Sequence, residues 1–121
     1  MEYSRIEQEA IANVLANLVH ADYQNRVEEM TFLGNCFKEL GFSDAGFQPC
    51  PKDALQAKAY PVLKQMTKEK KRAVSLMMTQ LSRSDGDFGP SERAFVMEVL
   101  EMCDMPFFIY PNSVVRVRHD F

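Results

Sequence analysis

Histidine, cysteine and glycine are scarce in this chain, and each shortage removes a class of chemistry. The two histidines, His20 and His119, have no neighbouring serine or cysteine to activate, so the nucleophile and base pair of a hydrolase lacks its parts. Three cysteines, Cys36, Cys50 and Cys103, are an odd number without CxxC or Cys-x-x-His spacing, which fits neither a disulfide framework nor a zinc site. No glycine-rich loop follows a strand, which removes the phosphate cradle of a kinase. No apolar run is long enough to span a bilayer, and the first nine residues are polar and acidic where a secretory signal starts basic and apolar. The expected compartment is therefore reducing and cytoplasmic. A net charge of -3 gives no global attraction to nucleic acid or anionic membrane. Of the broad functional classes, an enzyme has the least support.

What is present is the composition of a folded domain: 46% hydrophobic and 26% charged residues in a chain of 121, long enough for one continuous core. Its main feature is an internal correspondence. Residues 11–40 and 74–103 repeat one apolar pattern at a constant offset of 63 without a gap. Ile11, Val14, Leu15 and Leu18, then Phe32, Leu33, Cys36, Phe37 and Leu40, fall on Val74, Met77, Met78 and Leu81, then Phe95, Val96, Val99, Leu100 and Cys103. Spacings of three and four mark amphipathic helices. Two such hairpins, each with an apolar stripe too wide to leave wet, cover each other, so the expected fold is all-α, a compact bundle of two repeated helical hairpins. Each large side chain buried this way contributes about 2 kcal/mol.

Local signals set the boundaries. Ser4 caps a helix over residues 4–21, with Glu7 as its capping-box partner. A second helix over 27–40 is closed by Gly41. Residues 41–53, with Pro49 and Pro51, read as a loop that opens a linker extending to 66, where short helices are expected at 53–60 and 61–66. Thr67 caps a helix from 68 to about 84, and Pro90 opens the last one, which ends near Asp104. A single domain over 1–106 thus precedes a tail, 107–121, in which alternating Val and Arg from 114 to 118 resemble a short strand without an evident partner.

Chemistry is confined to the two corners of the hairpins. Asp22 falls on Asp85 and Glu29 on Glu92, an acidic pair seven residues apart in each copy, and the second turn adds Asp87. Along one straight helix the pair would lie about 10 Å apart, but a tight reversal brings both carboxylates to one corner. Oxygen ligands alone suit Mg²⁺ or Ca²⁺ rather than zinc. Counted from Asp85, a calcium EF-hand would need Gly at its sixth position and Glu at its twelfth; Pro90 and Val96 stand there, so that motif fails. Ordinary turn chemistry accounts for the same residues, with Asp85 in an Asx turn, Asp87 as a cap and Glu92 favoured by the helix dipole.

Ser84-Asp85-Gly86 with Glu92, and Ala21-Asp22 with Glu29, together with the doubled helix pair, resemble the TerB-like family of tellurite-resistance proteins. The family carries an Ala-Asp-Gly turn and a Glu seven residues after the Asp; Tyr23 stands where its first turn has Gly. The resemblance covers roughly residues 6–105. It implies a bundle of about seven short helices without catalysis that works by association in stress response or defence, with divalent-metal sensing attached by analogy to Asp22, Glu29, Asp85 and Glu92. Tellurite is itself an anion, so a carboxylate corner would repel it. The implied partner is another protein.

Three further features carry weaker readings. Lys64, Lys68, Lys70, Lys71 and Arg72 crowd the start of one helix and offer an alternative function, an adaptor docking anionic lipid, phosphate or nucleic acid, or else simply a solvated surface. Most of the eight methionines read as core filler. Phe107, Phe108, Ile109 and Tyr110 form an apolar run that must cover the bundle or a partner.

Overall fold

The computed structural model describes residues 2–19, 27–43, 45–82, 90–106, 108–109 and 116–117, with backbone alone for 27–29, 82, 90, 92, 108–109 and 116–117. These residues are mainly helical: α1 (Arg5–Val19), α2 (Val27–Leu40), α3 (Leu55–Lys58), α4 (Tyr60–Lys64), α5 (Lys68–Ser82) and α6 (Pro90–Met102). A 3₁₀ turn, Lys52–Ala54, leads into α3.

Helix ends form where the side chains dictate. Ser4 Oγ accepts from the Glu7 backbone N–H at 3.2 Å while Glu7 Oε1 accepts from the Ser4 N–H at 2.8 Å, a complete capping box. At α5 the Lys70 N–H donates to Thr67 Oγ1 at 3.2 Å. Gly41, at φ +73°, ends α2: its N–H reaches the Lys38 carbonyl and the Phe42 N–H the Phe37 carbonyl. That pair of bonds is a Schellman cap, and it needs a left-handed residue. Asp104 ends α6 in the same way at φ 58°, with its N–H to the Glu101 carbonyl and the Met105 N–H to the Leu100 carbonyl.

The offset of 63 therefore reaches past the apolar positions. Both ends of α1 fall on those of α5, the start of α2 falls on that of α6, the N-cap Ser4 falls on Thr67, and the left-handed Gly41 falls on Asp104. Side chains that cap the second helix of each pair correspond too. Gln8 Nε2 donates to the Leu40 carbonyl at 3.0 Å, and its counterpart Lys71 donates through Nζ to the Asp104 carbonyl at 3.3 Å.

Packing follows the same plan. Helices α1 and α5 lie together at the centre, α2 packs on α1 and α6 on α5, and the pairs are joined crosswise by α2 against α5 and α6 against α1. All the paired apolar positions are buried except Phe32, which is half-buried against the core. Methionine divides: Met66, Met77, Met78 and Met105 are buried, whereas Met30, Met97 and Met102 are exposed.

The linker is more structured than two plain helices. Ala59, at φ -118°, breaks it, and the next turn begins at Tyr60, with Pro61 inside the first turn where its missing N–H costs nothing. Leu55, Ala59, Tyr60 and Leu63 are buried, and α3 and α4 lie on α1, with α4 also touching α6. The loop before them is held by Phe37, Phe42 and Phe47, which meet edge to face with centroids 5.1 to 6.1 Å apart.

The extended tail expected from the sequence is corrected in one respect, because its Val and Arg segment has a partner within the chain. Strand β2 (Arg116–Val117) pairs antiparallel with β1 (Phe108–Ile109), Phe108 opposite Val117, and β1 rests on α5. The preceding turn is anchored by Ser75, whose buried hydroxyl donates to the Pro106 carbonyl.

Candidate functional site

The acidic corners come first, since the sequence assigns them the chemistry. Glu29 and Glu92 stand on the first turns of α2 and α6, where a carboxylate complements the helix dipole. Their side chains, and Asp22, Asp85 and Asp87 altogether, lie outside the described residues, as does His20. Among the described residues, no group of three or more His, Cys, Asp or Glu side chains is placed to hold a metal ion.

The five cations expected to form one anion site are divided by the fold. Lys70 Nζ lies 2.8 Å from Glu7 Oε1, and 5.6 Å from the centroid of the Tyr3 ring. Residue 70 is the counterpart of residue 7, so the ion pair joins the two central helices at equivalent positions. Burial raises the Glu7 carboxyl, but the bond from Lys70, the Ser4 N–H and the lysine charge outweigh it and hold the group below the usual value of 4.5. Lys71, only 8% exposed, turns to the C-terminal end of α6, where positive charge suits the helix dipole. Lys64, Lys68 and Arg72 remain exposed.

Burial withdraws two of the three thiols from nucleophilic chemistry. Cys36 and Cys103 are buried thiols, both pushed up to about 12 by desolvation; Glu39 adds to the effect at Cys36, while Lys71 and Lys64 oppose it at Cys103. At neutral pH neither is a thiolate. Tyr60 is raised too, first by desolvation and then by its bond to Glu98, whose Oε2 accepts from the hydroxyl at 2.9 Å.

Two concavities among the described residues bear on binding. The larger, about 600 Å³, lies between α1 and the loop after α2, with Phe42 and Phe47 in its wall and Arg5 and Lys58 at its rim. Its floor is fixed by two asparagines of α1: Asn13 Oδ1 accepts from the Cys50 N–H at 2.9 Å, and Asn17 Nδ2 donates to the Cys50 carbonyl at 3.0 Å. The smaller, about 390 Å³, is a groove between α2 and α5 lined by Tyr3, Glu39, Ala73, Leu76, Met77 and Gln80. The larger brings Glu9, Lys58 and Cys50 into one mainly polar lining, whereas the smaller sets Glu39 beside the apolar Ala73, Leu76 and Met77.

Sequence reasoning missed this groove. Its residues belong to the helical stripes already recognised, and their exposure depends on which partner the linker covers. A signal was available in the offset, because Ala73, Leu76, Met77 and Gln80 align with Ala10, Asn13, Val14 and Asn17, which face the linker.

No protein-family model and no curated protein matches the chain. Among solved structures it is similar to a protein of unknown function from Porphyromonas gingivalis W83, at 23% identity and a TM-score of 0.67 over 88% of this chain and 83% of that one. The likeness is one of fold. Among the described residues no helix is long and apolar enough to cross a membrane.

Proposed function

We propose that the chain is a TerB-like helical interaction module of the cytoplasm, two copies of one helical hairpin joined by a covering linker, which acts by association in stress response or defence and not by catalysis. The observation that carries this reading is the correspondence of caps: Ser4 with Thr67, Gly41 with Asp104 and Gln8 with Lys71 do the same work 63 residues apart. Coincident helix ends and buried positions support it.

In this reading the acidic corners, Asp22 with Glu29 and Asp85 with Asp87 and Glu92, take a hard divalent cation, Mg²⁺ or Ca²⁺. Their donors are all oxygen, which fits such an ion. A bound cation would offset the mutual repulsion of the carboxylates and tie the ends of each hairpin together. Calorimetric titration with calcium chloride tests the clause. Heat is expected from the parent protein and none from Asp85→Asn/Glu92→Gln in the second corner with Asp22→Asn/Glu29→Gln in the first. A parent protein that releases no heat removes the metal from the account.

A further inference from the structure

The linker gives the two halves of the bundle different surroundings. In the half built from α1 and α6, the groove between the helices is filled by α3 and α4, with Leu55, Ala59 and Leu63 wholly buried and Tyr60 bonded to Glu98. Lys52 of the same linker lies 5.2 Å over the Phe95 ring. The counterpart groove, between α5 and α2, has no linker on it. Exposure follows: Ala10 is 2% exposed and Phe95 1%, while their counterparts Ala73 and Phe32 are only half-buried.

The differences in sequence between the two grooves have a direction. Where the α1 side has Asn13 and Asn17 holding the Cys50 backbone at the floor of the larger concavity, the α5 side has Leu76, more apolar, and Gln80, an exposed amide able to do for a docked backbone what Asn17 does for Cys50. Where the filled side has Ile6 and Met102, both exposed, the open side has Glu69 and Glu39. Glu69 belongs to the stripe of Ala73, Leu76 and Gln80, and Glu39 lines the groove directly. The neighbouring Arg72 is already engaged within the chain. The outcome is an apolar floor with an acidic rim, in a place whose equivalent takes two short helical turns.

We propose that the groove between α2 and α5, floored by Ala73, Leu76 and Met77 and edged by Glu39 and Glu69, docks a short amphipathic helix with basic flanks from a partner protein. The proposal rests on the reading of the chain as a doubled hairpin module and names the surface through which that module associates. Leu76 and Met77 receive the apolar side of the helix, the unbranched methionine adapting to its shape. The two glutamates select basic flanks by charge complementarity, and Gln80 holds an exposed backbone group.

The test uses the full chain and a synthetic peptide of its own residues 52–66, which fill the equivalent groove and carry three lysines against one aspartate. Titration calorimetry should give binding at one to one. The affinity should fall about tenfold in Leu76→Glu and several-fold in Glu39→Lys/Glu69→Lys or in 0.5 M salt, and should be unchanged in Arg5→Glu at the other concavity. Ala73→Arg, at a half-buried position, provides a second blocking variant, and thermal melts establish that each variant is folded. Absence of binding, or binding insensitive to Leu76→Glu and Ala73→Arg, overturns the proposal. So does sedimentation that shows the chain dimerising through Leu76, since the occupant is then a second copy. Calcium heat that persists while the peptide fails removes the groove and leaves the module reading standing.

Discussion

Among the described residues, the groove between α1 and α6 is covered by two helical turns of the chain itself, and the groove between α5 and α2 is not. Around α1 the linker supplies Leu55, Tyr60 and Leu63, so side chains there reach full burial; around α5 the equivalent stripe ends in a groove. The same helical pattern thus acquires two meanings, core on one side and surface on the other, according to which helix the intervening segment folds back upon. Position alone does not decide a residue's role; its cover does.

The largest test of that contrast is in the packing. Leu63→Ala, at a side chain with no exposure, should cost about 3 kcal/mol in urea unfolding. Leu76→Ala, on the floor of the open groove, should cost about 1 kcal/mol, because solvent already reaches the site. Equal losses would mean that the groove of the second half is covered as well.

A smaller effect is expected where the halves meet. Glu7→Gln weakens both the capping box and the ion pair to Lys70, and should lose about 1 to 2 kcal/mol at pH 7. The Glu7 carboxyl is held below 4.5 in the fold, so its contribution is complete above that value and is lost as pH falls through the lower folded value. The stability gap between parent and Glu7→Gln should therefore narrow on acidification below pH 4.5 and stay constant from pH 5 to 7. A gap that widens in acid would contradict the sign of the shift.

The caps sharpen the comparison further. Ser4→Ala should cost about 1 kcal/mol and Thr67→Ala somewhat less, since residue 70 is a lysine and returns no carboxylate to its cap. The C-caps should respond with opposite signs. Gly41→Ala forces a side chain into a left-handed conformation and loses about 1 kcal/mol, whereas Asp104→Gly relieves one and removes a carboxylate from a helix C-terminus, gaining about 0.5 kcal/mol. Thermal or urea unfolding reads both.

Much of the helical framework was written in local signals. Ser4 with Glu7, Gly41, Thr67 and Pro90 each mark a boundary by their own chemistry, and the apolar spacing marks the faces that close on each other. What the sequence did not disclose depends on contacts across the fold. Lys70 and Lys71 are neighbours in a basic run, yet one crosses to Glu7 and the other turns to the end of α6, because adjacent residues on a helix point about 100° apart. Asp104 ends its helix left-handed without being glycine, a role recognisable only from its alignment with Gly41. The pairing of β2 with β1 joins two very short segments whose composition gives no register. The acidic corners and the side chains of the apolar run from Phe107 to Tyr110 lie outside the described residues.

Where the peptide of residues 52–66 settles on the folded chain tests the account most directly. In amide chemical-shift mapping, the changes should cluster at Glu39, Ala73, Leu76 and Gln80 and leave Ala10, Asn13 and Asn17 unmoved. Changes centred on Ala10, Asn13 and Asn17 instead would mean that the peptide displaces the resident linker, and the second groove would then be no docking surface at all.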